Sequence, residues 1–199
     1  MKTNRQKIEK LFPSVYITLI SILLGFAIED VISRLRELSP LDVQTVLIGV
    51  AILSAVFAAW TGYSFVSMTQ ERLPKLLDSV NIFLLAFGIY LLSSTLGLGV
   101  EWFFAALVVH FTFAMFATIY NFNILLRNLD TSYSWKIFLP NVVVIAAGLV
   151  VFLVSTWLSF AGILPRSVVI TLIVYFFISN IMWTYFFYQT WSRLINEHA

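Results

Sequence analysis

The chain has 199 residues, of which 60% are hydrophobic and only 11% are charged. Soluble proteins carry roughly 25% charged residues, so this composition excludes a soluble fold and requires lipid to cover part of the surface. The net charge of +2 is too small to indicate a nucleic-acid partner, and the absence of cysteine excludes disulfides, thiolate metal sites and cysteine nucleophiles. We therefore expect a membrane protein in contact with the lipid bilayer.

Six apolar segments of the sequence each approach the roughly 20 residues that a helix needs to cross a bilayer. Short connections containing proline or glycine separate several of them, and Asp42, after Pro40, is placed to cap the second helix. The sequence predicts an all-α, polytopic integral membrane protein, a bundle of six transmembrane helices with short loops that forms one domain over residues 1–199. The predicted spans are about 13–36, 43–68, 74–97, 101–126, 136–162 and 166–192.

The first apolar segment follows a basic start, as in a secretory signal peptide, and Gly25-Phe26-Ala27 has the small-x-small pattern of a cleavage site. The helical pattern nevertheless continues through these residues to Arg36. We therefore expect the first segment to be a retained transmembrane span.

Lysine and arginine are distributed unevenly between the two sides of the predicted bundle. Cytoplasmic loops of membrane proteins carry an excess of these residues, so the side with more of them is predicted to lie inside. The bias predicts both termini in the cytoplasm of a multi-pass protein of the cell (plasma or inner) membrane. The nine inner and three outer residues are Lys2, Arg5, Lys7, Lys10, Arg72, Lys75, Arg127, Lys136 and Arg193, against Arg34, Arg36 and Arg166.

The first span carries one face of small and polar residues at helical spacing, while most of its other residues are apolar. A polar face on an apolar helix indicates contact with protein or water rather than with lipid. The face consists of Ser14, Thr18, Ser21, Gly25, Glu29, Ser33 and Arg36.

Glu29 and Asp30 are the acidic residues of this span, and two interpretations of them stay open. A carboxylate inside the outer part of the hydrocarbon core is a candidate proton or cation site, at the end of a pathway that includes Thr18 and Ser21. Alternatively, the carboxylates belong to a charge cluster at the helix end, since Asp30 and Arg34 are spaced as an i,i+4 pair.

His110 is predicted close to the middle of the membrane, about 13 Å along the fourth helix from Glu101. Ala106, Ala114, Ala117 and Asn121 fall on the same face. A histidine in this position is a candidate proton relay. It is equally consistent with a single hydrogen bond between packed helices.

Asp78 and Asn81 share a face at the start of the third span, near the predicted cytoplasmic side. They are further candidates for an ion pathway, although a carboxylate in a first helical turn also interacts favourably with the helix dipole. The second span has an edge of small residues that predicts close helix packing: Ala51, Ala55, Ala58 and Gly62.

No catalytic motif appears in the sequence, and no pattern predicts a cofactor or a metal ion. We therefore expect a non-enzymatic protein, for which two functions remain open. The first is a small channel or transporter, for protons or cations, that works as a homo-oligomer. The second is a structural or accessory subunit bound to a membrane-protein partner. The candidate pathway residues are Thr18, Ser21, Glu29, Asp30, Asp78, Asn81, His110 and Asn121.

Overall fold

The computed structural model describes the backbone of residues 2–38, 40–68, 76–128 and 131–198, with side chains over 11–38, 40–67, 76–121, 138–186 and 188–189. The described chain is helical, and each of its six helices is long and apolar enough to cross a membrane. The predicted all-α bundle of six spans is therefore confirmed. The helices are α1 (Lys2–Glu37), α2 (Val43–Met68), α3 (Leu76–Ser94), α4 (Val100–Asn128), α5 (Thr131–Phe160) and α6 (Arg166–His198).

Several helix ends have local causes that the sequence indicates. Asp42 caps α2, because its Oδ1 accepts the backbone N–H of Thr45 at 2.7 Å. The third helix ends at Ser94 rather than at residue 97, since the chain turns through Gly97, whose φ is 84°. The predicted start of this span at residue 74 lies outside the described residues.

Two prolines lie inside helices. Pro13, predicted to begin the first span, is in the interior of α1, and Pro140 is in the interior of α5. A proline has no N–H to donate and normally ends or kinks a helix. Membrane helices tolerate it, because neighbouring helices and local adjustment satisfy the freed backbone groups.

The helices are not packed in simple chain order. The described residues place α4 against α5 and α2 against α6, while α1 packs on α2 and α3, and α3 packs on α4. Although α5 and α6 are consecutive, their described residues do not pack on each other along their length. The backbones of the α4–α5 pair and of the α2–α6 pair are therefore not in close contact along their length, and side chains and a cavity occupy the space between them.

We call the side of the bundle that holds the start of α1 and the end of α6 the basic side, because most of the Lys and Arg residues of the described helices belong to helix segments at this side. Toward the opposite side, the space between the helix pairs is filled by aromatic rings. This phenylalanine cluster consists of Phe103, Phe104, Phe111, Phe152 and Phe176. Its ring centroids lie 5.4–6.4 Å apart.

The phenylalanine cluster depends on a close approach between α4 and α5. A Cβ atom at Gly148 would lie 2.6 Å from Cε1 of Phe111, so glycine is needed for this ring to reach α5. Since lipid is as apolar as these rings, the cluster is stabilised by van der Waals and aromatic contacts rather than by removal from water.

Candidate functional site

A partly open cavity of about 130 Å³ lies between α2, α3, α4, α5 and α6. It runs along α4 from His110 to Asn121, a distance of about 16 Å, toward the basic side. The phenylalanine cluster lies beyond it on the opposite side, and Phe111 and Phe176 belong both to the cluster and to the cavity wall. The polar and amphipathic side chains of the wall are Tyr63, His110, Thr118, Asn121, Asn141, Asn180 and Trp183.

Small residues create the space. Ala55, Ala58 and Gly62 of α2 line the cavity, although the sequence predicts that this edge packs closely against another helix. Ala51, at the far end of that edge, and Ala55 are also buried in the hydrophobic core. The facing wall on α4 includes Ala114 and Ala117, which belong to the small face predicted around His110.

His110 lies at the deep end of the cavity, and its side chain is only 7% exposed. The ring packs edge-on against Phe111 and Phe176, with centroids 6.0 and 6.4 Å away. Its Nδ1 atom has no hydrogen-bond partner among the described residues. A buried polar atom without a partner is costly, so the described residues leave part of the hydrogen-bonding capacity of this imidazole unused.

Asn141, in the turn after Pro140 of α5, is likewise only 7% exposed and lines the cavity. Its side-chain amide makes no hydrogen bond within the described part of the chain. Thr118 lines the same cavity, and its hydroxyl also makes no hydrogen bond there. By contrast, Thr112, on the exposed face of the same helix, donates to the carbonyl of Val108 at 2.8 Å.

Asn121 marks the basic end of the cavity and lies close to Asn81 of α3. The Asn81 Nδ2 atom is 3.5 Å from Asn121 Oδ1, at the limit of a hydrogen bond, and Asn81 Oδ1 has no partner among the described residues. Next to them, Tyr120 donates to Oδ1 of buried Asp78 at 2.8 Å, and Tyr63 donates to the Asn81 carbonyl at 3.1 Å. This polar group joins α2, α3 and α4 beside the cavity.

Asn180 brings α6 into the cavity wall. Its Nδ2 atom donates to Oγ of Ser54 at 3.1 Å, and Ser54 in turn donates to the carbonyl of Ala51. The amide oxygen of Asn180 remains available as an acceptor, since each amide side chain carries both donors and an acceptor.

The polar face of α1 lies elsewhere, on the outer surface of the bundle. Thr18, Ser21, Gly25 and Glu29 are exposed, and α1 instead packs its apolar face against α2 and α3. The hydroxyls of Thr18 and Ser21 donate to carbonyls of their own helix, and Ser21 accepts a hydrogen bond from Trp60 at 3.2 Å. Among the described residues, only Trp60 is seen to contact this polar face from another helix, so an ion pathway along it stays a prediction.

Asp30 belongs to a local cluster between α1 and α3. The Arg34 Nε atom lies 3.0 Å from Asp30 Oδ2, and the hydroxyl of Ser93 donates to the same oxygen. This arrangement agrees with the interpretation of Asp30 as part of a charge cluster at the end of the helix. Its proposed part in an ion pathway is untested.

The structure thus brings some of the predicted residues together. His110 and Asn121 line one cavity, with Asn81 and Asp78 beside it, whereas Thr18, Ser21, Glu29 and Asp30 lie away from it. Five residues of the cavity wall were not predicted from the sequence as pathway residues: Tyr63, Thr118, Asn141, Asn180 and Trp183. The signal that could have identified them is a polar or amphipathic side chain within an apolar span.

Within the described residues, no three His, Asp or Glu side chains come together as a metal site. No protein-family model matches the sequence, and no significant match is found among curated proteins or solved structures. The function is therefore argued from the cavity and its surroundings.

Proposed function

We propose that this protein is a membrane transporter, in which the cavity binds a small solute and His110 exchanges protons. The observation that carries this proposal is the set of polar side chains that line one cavity inside the bundle, above all the buried His110 and Asn141. Polar groups at mid-membrane depth are expensive, and in transporters they mark the sites where solutes and protons bind.

The division of the bundle favours a transporter over an open channel. The cavity extends toward the basic side, while fully buried rings such as Phe103, Phe104 and Phe152 fill the bundle toward the opposite side. A solute at this site leaves on the opposite side only if the helices around the rings move. The α4–α5 pair and the α2–α6 pair are each closely packed and meet mainly through side chains, and such packed pairs are suited to rocking motions of the kind used in alternating access.

His110 supports the proton part of the proposal. Histidine is the side chain whose ordinary pKa lies closest to neutral pH, which suits it to proton exchange. His110 lines the cavity, and no Asp, Glu, Lys or Arg side chain joins it in the wall formed by the described residues. Proton movement through the cavity therefore depends on this imidazole.

Proton flux in liposomes containing only the purified protein tests the proposal. We expect an imposed pH gradient to collapse faster than in empty liposomes, and His110→Gln to slow the collapse by about tenfold or more. His198→Gln, the same substitution near the end of α6, is the matched control and keeps the wild-type rate. If proton flux is unchanged in His110→Gln, the proposed role of His110 is wrong. If the wild-type protein gives the same flux as empty liposomes, the proposal that the protein is a transporter is wrong.

A second function, assembly with another membrane protein or with a second copy, is favoured by the outer surface of α1. Gly25 has no other atom within 4 Å of the position of an added Cβ, and the polar face around it is exposed. Small residues on exposed transmembrane faces permit close helix association. In this arrangement Glu29 lies between chains, where a cation pathway along α1 becomes possible.

The cysteine-free chain gives a direct test of this assembly. Gly25→Cys places a single thiol on the polar face of α1, and Val150→Cys places one on an exposed apolar face of α5 as the control. Oxidation in native membranes is expected to cross-link Gly25→Cys to itself or to a partner and to leave Val150→Cys monomeric. Equal cross-linking of both variants contradicts assembly through α1.

A further inference from the structure

We infer that the solute held by the cavity is a small uncharged molecule with an apolar body and an amide or hydroxyl group. This inference rests on the proposed function, because it takes the cavity as the transport site. In place of the protons or cations expected from the sequence, it assigns a neutral solute to the cavity, while His110 remains the group that exchanges protons.

The charge of the solute follows from the cavity wall. Among the described residues, the wall contains no acidic side chain and no Lys or Arg. Asp78, beside the basic end of the cavity, accepts a hydrogen bond from Tyr120 and is not among the lining residues. A dehydrated ion in this cavity has no counter-charge to compensate the loss of water, whereas a neutral solute needs none.

The polar group of the solute follows from the unpartnered atoms. The Asn141 amide offers two N–H donors and a carbonyl acceptor, and the Thr118 hydroxyl offers one donor and an acceptor. An amide or alcohol donates and accepts hydrogen bonds at once and therefore complements both side chains. A purely apolar solute leaves them unpaired, which costs the full desolvation of each group.

The size and body of the solute follow from the rest of the wall. Ile145, Phe138 and Phe176 provide apolar surface beside the polar groups. The volume of about 130 Å³ is close to that of a dry engineered cavity of roughly 150 Å³ that accepts benzene. The cavity is therefore suited to a compact molecule of about that size.

Three probes of one shape test the inference: isobutyramide, isobutyrate and isobutylammonium share a branched apolar body and differ in charge. Their binding to the purified full-length protein in nanodiscs is measured by saturation-transfer NMR, with empty nanodiscs as the blank. We expect isobutyramide to bind with weak affinity, as befits so small a ligand, and the two ions to give no signal above the blank. Preferential binding of either ion, or no binding of any probe because water alone fills the cavity, overturns the inference.

Matched threonine variants locate the bound probe. Thr118→Val removes the hydroxyl in the cavity and Thr112→Val removes one on the outer face of the same helix, both without a change of shape. We expect Thr118→Val to weaken isobutyramide binding roughly three- to tenfold, and Thr112→Val to leave it unchanged. Asn141→Leu is expected to weaken isobutyramide binding in the same way as Thr118→Val. If Asn141→Leu does not fold, comparison of Thr118→Val with Thr112→Val still tests where isobutyramide binds. Equal affinities of Thr118→Val and Thr112→Val for isobutyramide would contradict binding of this probe in the cavity.

The binding and flux experiments fail separately. Isobutyramide binding without proton flux supports a neutral ligand in the cavity but contradicts the proposed transport function. Proton flux together with preferential binding of isobutylammonium supports transport but contradicts the inference that the solute is neutral.

Discussion

The imidazole of His110 lies directly against the backbone of Gly88, across the contact between α3 and α4. A Cβ atom at Gly88 would lie 3.2 Å from His110 Nδ1 and 3.3 Å from His110 Cα. The second distance involves backbone, which cannot rotate away as a side chain can. The glycine therefore sets how closely α4 approaches α3 and, with it, where the His110 ring stands in the cavity.

Gly88→Ala is expected to destabilise the protein by about 1–3 kcal/mol, because the added methyl group overpacks the contact between α3 and α4. The unfolding free energy in mixed micelles measures this effect. Gly25→Ala is the matched control, since no atom other than its own chain neighbourhood lies within 4 Å of its added Cβ. A stability loss in Gly25→Ala as large as in Gly88→Ala contradicts the assignment of the effect to this contact.

The six helices were predictable from the sequence, because length and hydropathy alone determine whether a segment is able to cross a membrane. The helix ends were predictable to within a few residues, where Gly97 and Asp42 supply local signals. The predicted first span of about 13–36 agrees with the apolar stretch Leu11–Glu37, but α1 itself runs through Pro13 from Lys2. Whether neighbouring groups can hydrogen-bond the backbone atoms freed by a proline depends on tertiary structure, which the proline itself does not reveal.

The site was only half predictable, for a related reason. In a soluble protein, the polar face of a helix points toward water, so the sequence predicts which face is buried. In a membrane, the face toward lipid and the face toward the protein can both be apolar, so packing determines which face points into the bundle. The polar face around Ser21 and Glu29 lies on the outer surface, while the faces of His110 and of Asn141 converge on the cavity. Convergence depends on how α4–α5 and α2–α6 pair, which no single helix encodes.

The contact between Ser93 of α3 and Asp30 of α1 gives a prediction with an adjacent control. The Ser93 hydroxyl lies within hydrogen-bond distance of both Asp30 Oδ2 and the carbonyl of Tyr90 in its own helix, whereas the Ser94 hydroxyl donates to the carbonyl of Leu91 in that helix. Ser93→Ala removes a donor from a partly buried carboxylate and is expected to cost about 1 kcal/mol of unfolding free energy. Ser94→Ala removes no contact between helices and is expected to change stability by less than half as much. The reverse order contradicts a role for Ser93 in joining α1 to α3.

The cap of α2 predicts a measurable titration outside the membrane. The backbone hydrogen bond from Thr45 lowers the pKa of Asp42 below its ordinary value of 3.8. Since the pKa is lower in the folded state, the stabilisation is present above pH 3.8 and is lost as the pH falls through the lowered folded pKa. A ¹³C NMR titration of the Asp42 carboxyl group in micelles is expected to give a midpoint below 3.8. A midpoint at or above that value contradicts the cap.

Phe176 joins the cavity to the phenylalanine cluster, and its removal is expected to affect both. Its ring packs on Phe111 and Phe152, with centroids 5.9 and 6.1 Å away, and is 1% exposed. Phe176→Ala leaves a void and is expected to cost about 2 kcal/mol from the lost packing alone, because the transfer of the ring to lipid contributes little. Phe83→Ala, at a ring that is 53% exposed, is the control with little expected loss.

The same void extends the cavity toward the opposite side, so Phe176→Ala is also expected to raise the proton leak of liposomes. Folded Phe176→Ala protein with wild-type leak and wild-type stability would show that the phenylalanine cluster neither closes the cavity nor holds α6 in place. An increase of leak in Phe176→Ala and not in Phe83→Ala, at matched protein content, identifies the cluster as the barrier between the cavity and the opposite side of the membrane.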